Sequence, residues 1–547
     1  MNTKRCLALL VTTACLSFTA ASKTLALKNI NIVNVDTLKI DKLKTILIED
    51  DKIKAILDGK KRIPGKDVIT IDMKDKYAIP GLIDTHVHHA TSPDDWDNDQ
   101  MTRTRLRNLL RGGVTSVRDM GGDTRALSSL KRRADNDLIQ SPDIYYSVII
   151  AGQEFFSDPR TIASAKGQTP GAVDWMRAVD DKTDLDEVML KARGTGATGI
   201  KIYAKVPPAL MGKLQKAAKK HGLKVWSHVF VGPARPVDAI EGGVETISHA
   251  PDISSHVVDN FYQLRREGKH ISEAQKKESF ELARYQELMT LMKEKGTLFD
   301  PTLTVFEMSK EQRGERGELM YQWAKIFTRM AHEHDIKIAT GTDGASDQYQ
   351  LDYPLVQKEM QLLVNDIGLT PLEAIQSATT IGAEVIGIEN SHGKIKADYI
   401  ANLVILNKDP SGNIKHALDI AHVIKNGEFI HRGDSKELPF VSAKPAAGML
   451  WLSGQIGNFP STMTLAGEDI ETQMTQAMKN IGAVLQEYDL GYSDIVKCTL
   501  MLADIKDWPA ANKAYKPFFQ SLPARSAFAT SGLALNAKVE VECSAEL

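Results

Sequence analysis

Thr85-His86-Val87-His88 places two imidazoles two residues apart. Alternate residues of a strand face the same side, so His86 and His88 project together and could chelate one ion. The spacing alone is weak evidence in a chain with 14 histidines, and the chain carries its own control. His332-Glu333-His334 has the same spacing but closes a helix-like stretch just before the strand-like Lys337 to Thr342. Those two read as solvated histidines at a helix C-terminus. His86 and His88 gain weight from their company. His228 ends the strand-like Lys224 to His228, His249 ends Thr246 to His249, Asp343 directly follows Lys337 to Thr342, and Lys201 lies in Gly199 to Tyr203. One or two of these could be satisfied core polar groups, but burying all six without a shared partner would be costly, so together they point to a metal site. Tyr203 shares the strand face of Lys201 and reads equally as a hydrogen-bond donor to a developing oxyanion or as an interior packing residue. Arg118-Asp119 reads as a structural ion pair.

The elements that must position these residues alternate. Strand-like Gly81 to His88, Thr115 to Asp119, Ile144 to Ala151, Gly199 to Tyr203, Lys224 to His228, Thr246 to His249, Thr297 to Leu303 and Lys337 to Thr342 are separated by helix-like stretches such as Pro208 to His221 and Pro371 to Ile386. Eight strands alternating with helices imply an α/β chain built on a (β/α)8 TIM barrel, whose reactive groups gather at the C-terminal ends of its strands. His332 and His334 then belong on the opposite, bottom face. Two β-rich patches flank the barrel, with Asn426-Gly427 as a hairpin signal in the second. They are expected to join as one small β-sandwich domain from residues 22–76 and 388–433, around a barrel at 77–387. Asp434 to Gly448 suits a linker. Beyond it, strand-like segments at Leu450 to Ser453, Asp494 to Leu502, Ser526 to Thr530 and Ala537 to Cys543 alternate with helix-like Glu468 to Leu490 and Trp508 to Gln520.

The composition is that of a globular chain: 547 residues, 68 Lys+Arg against 70 Asp+Glu, formal net charge -2. That balance argues against a nucleic-acid binder or a polybasic membrane-surface protein. Residues 1–21 follow signal-peptide grammar: Lys4 and Arg5, a short apolar run from Cys6 to Ala20, and the small-x-small Thr19-Ala20-Ala21. A lipoprotein reading at Cys15 is weaker. No later segment reaches membrane-spanning length, so an exported chain, periplasmic or secreted, is expected. Cys498 and Cys543 could pair there, but two buried, unpaired thiols is the favoured reading.

The constellation resembles the amidohydrolase superfamily over roughly residues 26–433. Ala78-Ile79-Pro80-Gly81-Leu82-Ile83-Asp84-Thr85-His86-Val87-His88 is similar to its first-strand signature, and Gly199-Ile200-Lys201-Ile202-Tyr203-Ala204, Ile247-Ser248-His249 and Thr340-Gly341-Thr342-Asp343 to later ones. The flanking β domain and the Gly387 to Leu406 region fit the branch that includes imidazolonepropionase, Xaa-Pro-type dipeptidases and N-acyl amino acid hydrolases. The resemblance implies two divalent ions, for which zinc suits the ligand types. One would be held by His86, His88 and Asp343 and the other by His228 and His249, with a carboxylated Lys201 bridging them. It further implies hydrolysis of amide or peptide-like C–N bonds by a metal-bridging hydroxide, with Asp343 carrying the proton to the leaving nitrogen. Imidazolonepropionase uses one metal and lacks the bridging lysine, so Lys201 argues against that activity. Dipeptidase relatives often read His-Ala-His-Gly at the fifth strand; His228-Val229-Phe230-Val231-Gly232 stands here.

The C-terminal region resembles the Rid (reactive intermediate deaminase) family, which implies an α+β domain at 438–547. Leu452-Ser453-Gly454-Gln455-Ile456-Gly457, Gln476-Ala477-Met478-Lys479-Asn480-Ile481, Asp494-Ile495-Val496-Lys497-Cys498-Thr499, Pro523-Ala524-Arg525-Ser526 and Lys538-Val539-Glu540-Val541-Glu542 carry the match in order. The resemblance implies that Arg525 binds a substrate carboxylate, that Glu540 assists water attack on an imine, and that the chain is a homo-oligomer, a trimer with sites between subunits. The usual Gly-Pro-Tyr segment is replaced around Leu438-Pro439-Phe440. A module kept for trimerisation or ligand binding is therefore the alternative to an imine deaminase.

Overall fold

The computed structural model describes residues 24–547 except 60, 65–67, 91–98, 259, 268, 345–350, 352, 434–438 and 461. Residues 1–21, expected as a signal peptide, lie outside the described residues, and no helix among the described ones is long and apolar enough to cross a membrane.

The centre is a nearly closed parallel barrel. Its strands run Leu82–Val87, Val114–Asp119, Asp143–Ala151, Gly199–Ile202, Lys224–His228, Thr246–Ser248 and Leu298–Asp300, each paired parallel with the next. The eighth position, expected as a strand at Lys337 to Thr342, closes through single parallel bridges, Phe299 with Ile338 and Val87 with Gly344. Side chains complete the seam. Thr342 Oγ1 donates to Asp84 Oδ2 at 2.8 Å, and Thr340 Oγ1 donates to the Ile83 carbonyl at 3.2 Å. The barrel strands are apolar along most of their length because helices cover their outer face, for example Pro208–Lys220, which buries Leu210, Met211, Leu214 and Ala218. After the third strand the chain adds two short strands, Ala172–Val173 and Met176–Ala178.

The flanking patches do join, through one eight-stranded mixed sheet that curls around its core. Thr24–Asn34 is its organiser. It pairs antiparallel with Lys39–Glu49 along one side, and parallel with Ile69–Asp72 and then Tyr77–Pro80 along the other. Leu403–Leu406 pairs antiparallel with Tyr77–Pro80, which brings the distant second patch into the sheet. Its apolar side chains pack in one core, to which Phe459 and Ala466 of the C-terminal region also contribute. Asn426-Gly427 forms the expected hairpin turn with both φ angles positive, at 51° and 77°.

The C-terminal domain packs the helices Ile470–Glu487 and Trp508–Tyr515 on a six-stranded sheet. Its first hairpin, Ala443–Ala446 with Met449–Leu452, begins inside the segment expected as a linker, because the left-handed pair Ala447-Gly448 turns the chain back. Cys498 and Cys543, expected to stay unpaired, form a disulfide. They sit directly opposite one another on neighbouring antiparallel strands, a register sequence reading could not supply. This domain is docked rather than tethered. Phe459 is buried in the core of the flanking sheet, 5.4 Å from Phe429 between ring centroids. Along the barrel helix Asp99–Arg111, Arg103 pairs with Asp489 (2.9 Å), Arg107 donates to the Gln486 carbonyl (2.6 Å) and Arg111 pairs with Glu487 (2.7 Å). One arginine per helical turn thus meets the negative end of the Ile470–Glu487 helix dipole.

Candidate active site

The six residues singled out from sequence converge at the C-terminal ends of the barrel strands. His86 Nε2 lies 3.3 Å and His88 Nε2 3.0 Å from Asp343 Oδ1, and His249 Nδ1 lies 3.8 Å from Asp343 Oδ2. The His228 and His249 rings are 4.7 Å apart, and those of His86 and His249 5.0 Å. Lys201 is fully buried beneath them, and its Nζ donates to Ser248 Oγ at 3.0 Å. His86, His249 and Asp343 present ligand atoms within 4.8 Å of one another, a set able to hold a divalent cation. His332 and His334 stay apart from this group. His334 caps its own helix, bonding the Met330 carbonyl at 2.8 Å.

The electrostatics suit a cation. Burial pushes His249 down to about 3 and His228 well below the usual histidine range, so both rings are neutral at pH 7 with a lone pair to give. Burial opposes the charge on Asp343, but His249, His86 and His88 outweigh it and hold the carboxylate well below its ordinary value. His88 is raised, its burial outweighed by the bond to Asp343. Burial, with Arg118 nearby, lowers Lys201 to about 7, which makes its uncharged, nucleophilic amine accessible.

Sequence reasoning missed the layer beneath. Asp300, at the end of the seventh strand, is fully buried. Its Oδ2 accepts from His86 Nδ1 (2.8 Å), Ser248 Oγ (3.1 Å) and Arg118 Nη2 (3.3 Å). An aspartate followed by proline at a strand's C-terminal end, Asp300-Pro301, was the available signal. Arg118 and Asp119 do not pair with each other, because neighbours on a strand point to opposite sides. Arg118 reaches into the barrel to Asp300 and lies 4.6 Å from the centre of the Trp226 ring. Asp119 instead accepts backbone N–H bonds from His89, Ala90, Gly121 and Gly122. Gly341 leaves room for this layer, since a Cβ there would stand 2.1 Å from Asp300 Oδ1. His249, Thr302 and Asp343 hold positive φ angles of 79°, 51° and 53°, strain that neighbouring bonds must sustain.

Tyr203 lies at the rim. Its ring is 4.2 Å from that of His228 and 4.9 Å from that of Phe155, so it packs within an aromatic cluster beside the histidines. Arg525 and Glu540 are not brought together within one chain. They stand on strands either side of Ile495–Leu502, opposite Cys498 and Met501, about 14 Å apart by strand geometry and on opposite faces of the sheet. The Arg525 guanidinium lies 5.2 Å from the centre of the Tyr515 ring, and burial raises the Glu540 carboxyl.

Comparison with known proteins agrees with both halves of this architecture. Residues 77–430 match the family described as amidohydrolase, and residues 435–547 match the family described as endoribonuclease L-PSP. Among solved structures, a prolidase complexed with N-methylphosphonate-L-proline superposes with a TM-score of 0.58 at 21% identity, covering 75% of this chain and 99% of that one. The C-terminal region is 40% identical over 110 residues (20% of this chain) to Reactive Intermediate Deaminase A, chloroplastic, of Arabidopsis thaliana, of which it spans 59%. It is 35% identical over 105 residues (19% of this chain) to 2-iminobutanoate/2-iminopropanoate deaminase of Mus musculus, of which it spans 78%.

Proposed function

The chain belongs to the amidohydrolase family, with a C-terminal domain of the endoribonuclease L-PSP (Rid) family, and from that premise we propose an exported hydrolase of amide or peptide-like C–N bonds in small substrates. The observation that carries the reading is the convergence of His86, His88, Lys201, His228, His249 and Asp343 at one end of the barrel. His86, His88 and Asp343 would hold one divalent ion, zinc by ligand type, and His228 and His249 a second. Lys201, as its carbamate, would bridge them; its lowered pKa near 7 favours the neutral amine that takes up carbon dioxide. Bound there, the ions supply Lewis acidity and an activated water. Asp343, held ionised by the surrounding histidines, is the group able to take a proton and return it to the leaving nitrogen. Tyr203 stands at the rim, where its hydroxyl would meet the carbonyl oxygen of a bound substrate.

A prolidase among the structural neighbours puts Xaa-Pro dipeptides first among the substrates to screen, with N-acyl amino acids and cyclic amides beside them. Export is supported by the charged and apolar pattern of residues 1–21 and by the Cys498–Cys543 disulfide, which an oxidising compartment preserves. Chelator treatment and Asp343→Asn should each lower hydrolysis of the best substrate by roughly 10²-fold or more. Activity untouched by both would overturn the reading.

The Rid-like domain supports a second activity, imine hydrolysis, with Arg525 receiving a carboxylate and Glu540 directing water. Their separation within one chain suits a site shared between copies, so a trimer is part of this proposal. Arg525→Ala should abolish imine hydrolysis and spare the barrel reaction. Native mass spectrometry showing only monomers at micromolar concentration would leave the domain without a complete site.

A further inference from the structure

The helix Leu303–Ser309 begins directly after the seventh barrel strand, and its first free N–H groups need acceptors. Its N-cap residue is Thr302, whose hydroxyl would ordinarily turn back to meet them. Thr302 makes no such bond; its Oγ1 lies 3.0 Å from His249 Nδ1. The helix is capped from elsewhere. Glu359, fully buried on the helix Leu355–Leu362, accepts from Leu303 N (2.9 Å), Thr304 N (2.7 Å) and Thr304 Oγ1 (2.6 Å). Thr302 itself is buried at φ 51° and ψ 47°, a conformation a β-branched residue seldom adopts. Donors on both residues that follow it are thus tied to one side chain, which fixes the turn and with it the direction of the Thr302 hydroxyl.

We propose that Glu359 is a positioning residue for His249: it caps the Leu303 helix in place of Thr302, and so reserves the Thr302 hydroxyl for His249 Nδ1. The ring is then held in one orientation and, with Nδ1 as the protonated nitrogen, one tautomer, in which Nε2 would be the nitrogen left with a lone pair for an ion. The inference rests on the metal reading of this site. It differs from a packing role in where the damage of a substitution appears. A carboxyl that merely fills the core would affect melting alone, whereas a positioning carboxyl also sets how tightly His249 holds an ion.

The test uses the full-length, metal-stripped protein, titrated with Zn²⁺ against a chromogenic chelator. Wild type, Glu359→Gln, Thr302→Val and the double variant are compared, each with its melting temperature. Glutamine keeps the shape but turns an NH₂ donor toward the donors that Glu359 accepts. Each single variant is expected to weaken zinc affinity about 10-fold or more, as loss of a ligand's outer partner does. The double variant should be no weaker than the worse single one, because both act through the same contact. If Glu359→Gln does not fold, Glu359→Asp, one methylene shorter, takes its place with the same expectation. A variant that melts lower yet binds zinc like wild type would overturn the proposal, as would losses that multiply in the double variant. Wild type that takes up no zinc would instead remove the metal reading. Imidazole ¹⁵N spectra of the stripped protein then decide the positioning claim alone: His249 protonated on Nδ1 in wild type and redistributed in Glu359→Gln supports it, and an unchanged spectrum refutes it.

Discussion

Replacing Asp300 by asparagine isolates the layer beneath the candidate metal site. The change keeps the volume and removes one charge. Asp300 and Arg118 are both fully buried and paired at 3.3 Å, so the substitution leaves a buried guanidinium without the carboxylate it pairs with. Breaking such a pair from one side costs about 3–5 kcal/mol, and a neutral hydrogen bond kept by the new amide returns about 1 kcal/mol. A net loss of about 3 kcal/mol is expected, a large share of a typical folding stability. Because Arg118 stacks on Trp226, fluorescence of that ring reports the site directly during urea unfolding of the metal-free protein. The control is Arg118→Met with Asp300→Leu, which removes both charges and should cost less than Asp300→Asn alone. In parallel, His86 loses the carboxylate that orients it at 2.8 Å, so the affinity of the candidate site for a divalent ion should fall roughly 10- to 100-fold. An Asp300→Asn protein within about 1 kcal/mol of wild type, or a double variant less stable than the single one, would refute the reasoning.

Other consequences are equally direct. The Cys498–Cys543 bridge closes a 45-residue separation, so Cys498→Ala with Cys543→Ala should destabilise the C-terminal domain by about 4 kcal/mol, read by calorimetry; a melting temperature unchanged from wild type would contradict it. His249 and His228 have folded pKa values below the unfolded value, so between about pH 6.5 and 3 the unfolded chain binds more protons, and metal-free stability should fall as pH drops through that window. His249 alone is worth up to about 5 kcal/mol there, and the upward shift of His88 works against it; a urea midpoint flat from about pH 7 to 5 would count against neutral histidines. Phe459→Ala empties a buried aromatic site between two domains and should loosen their docking by about 3–5 kcal/mol, splitting one calorimetric transition into two. A single unshifted transition would mean that the arginines of the Asp99–Arg111 helix suffice.

Much of the site was legible because its signals are local. A two-residue spacing in a strand, a histidine at a strand's last position and an aspartate just after one are properties of short stretches, and the alternation of strands and helices arranges them at one end. The eight-strand count was legible for the same reason, and only closure differed, with bridges and the Asp84–Thr342 contact standing in for a regular eighth strand. What local patterning could not hold were relations between distant segments. Asp300 meets Arg118 across 182 residues and His86 across 214, and Glu359 reaches the Leu303 turn across 56. Cys498 faces Cys543 only because two antiparallel strands take one register and not its neighbour. Arg118 and Asp119 look like partners in the chain and are parted by strand geometry. The sequence by itself determined which groups could do chemistry and at which end of which strands they stand. Only the tertiary structure decided which charges, hydroxyls and rings meet, because a buried polar group finds its partner wherever packing leaves one, without regard to distance along the chain.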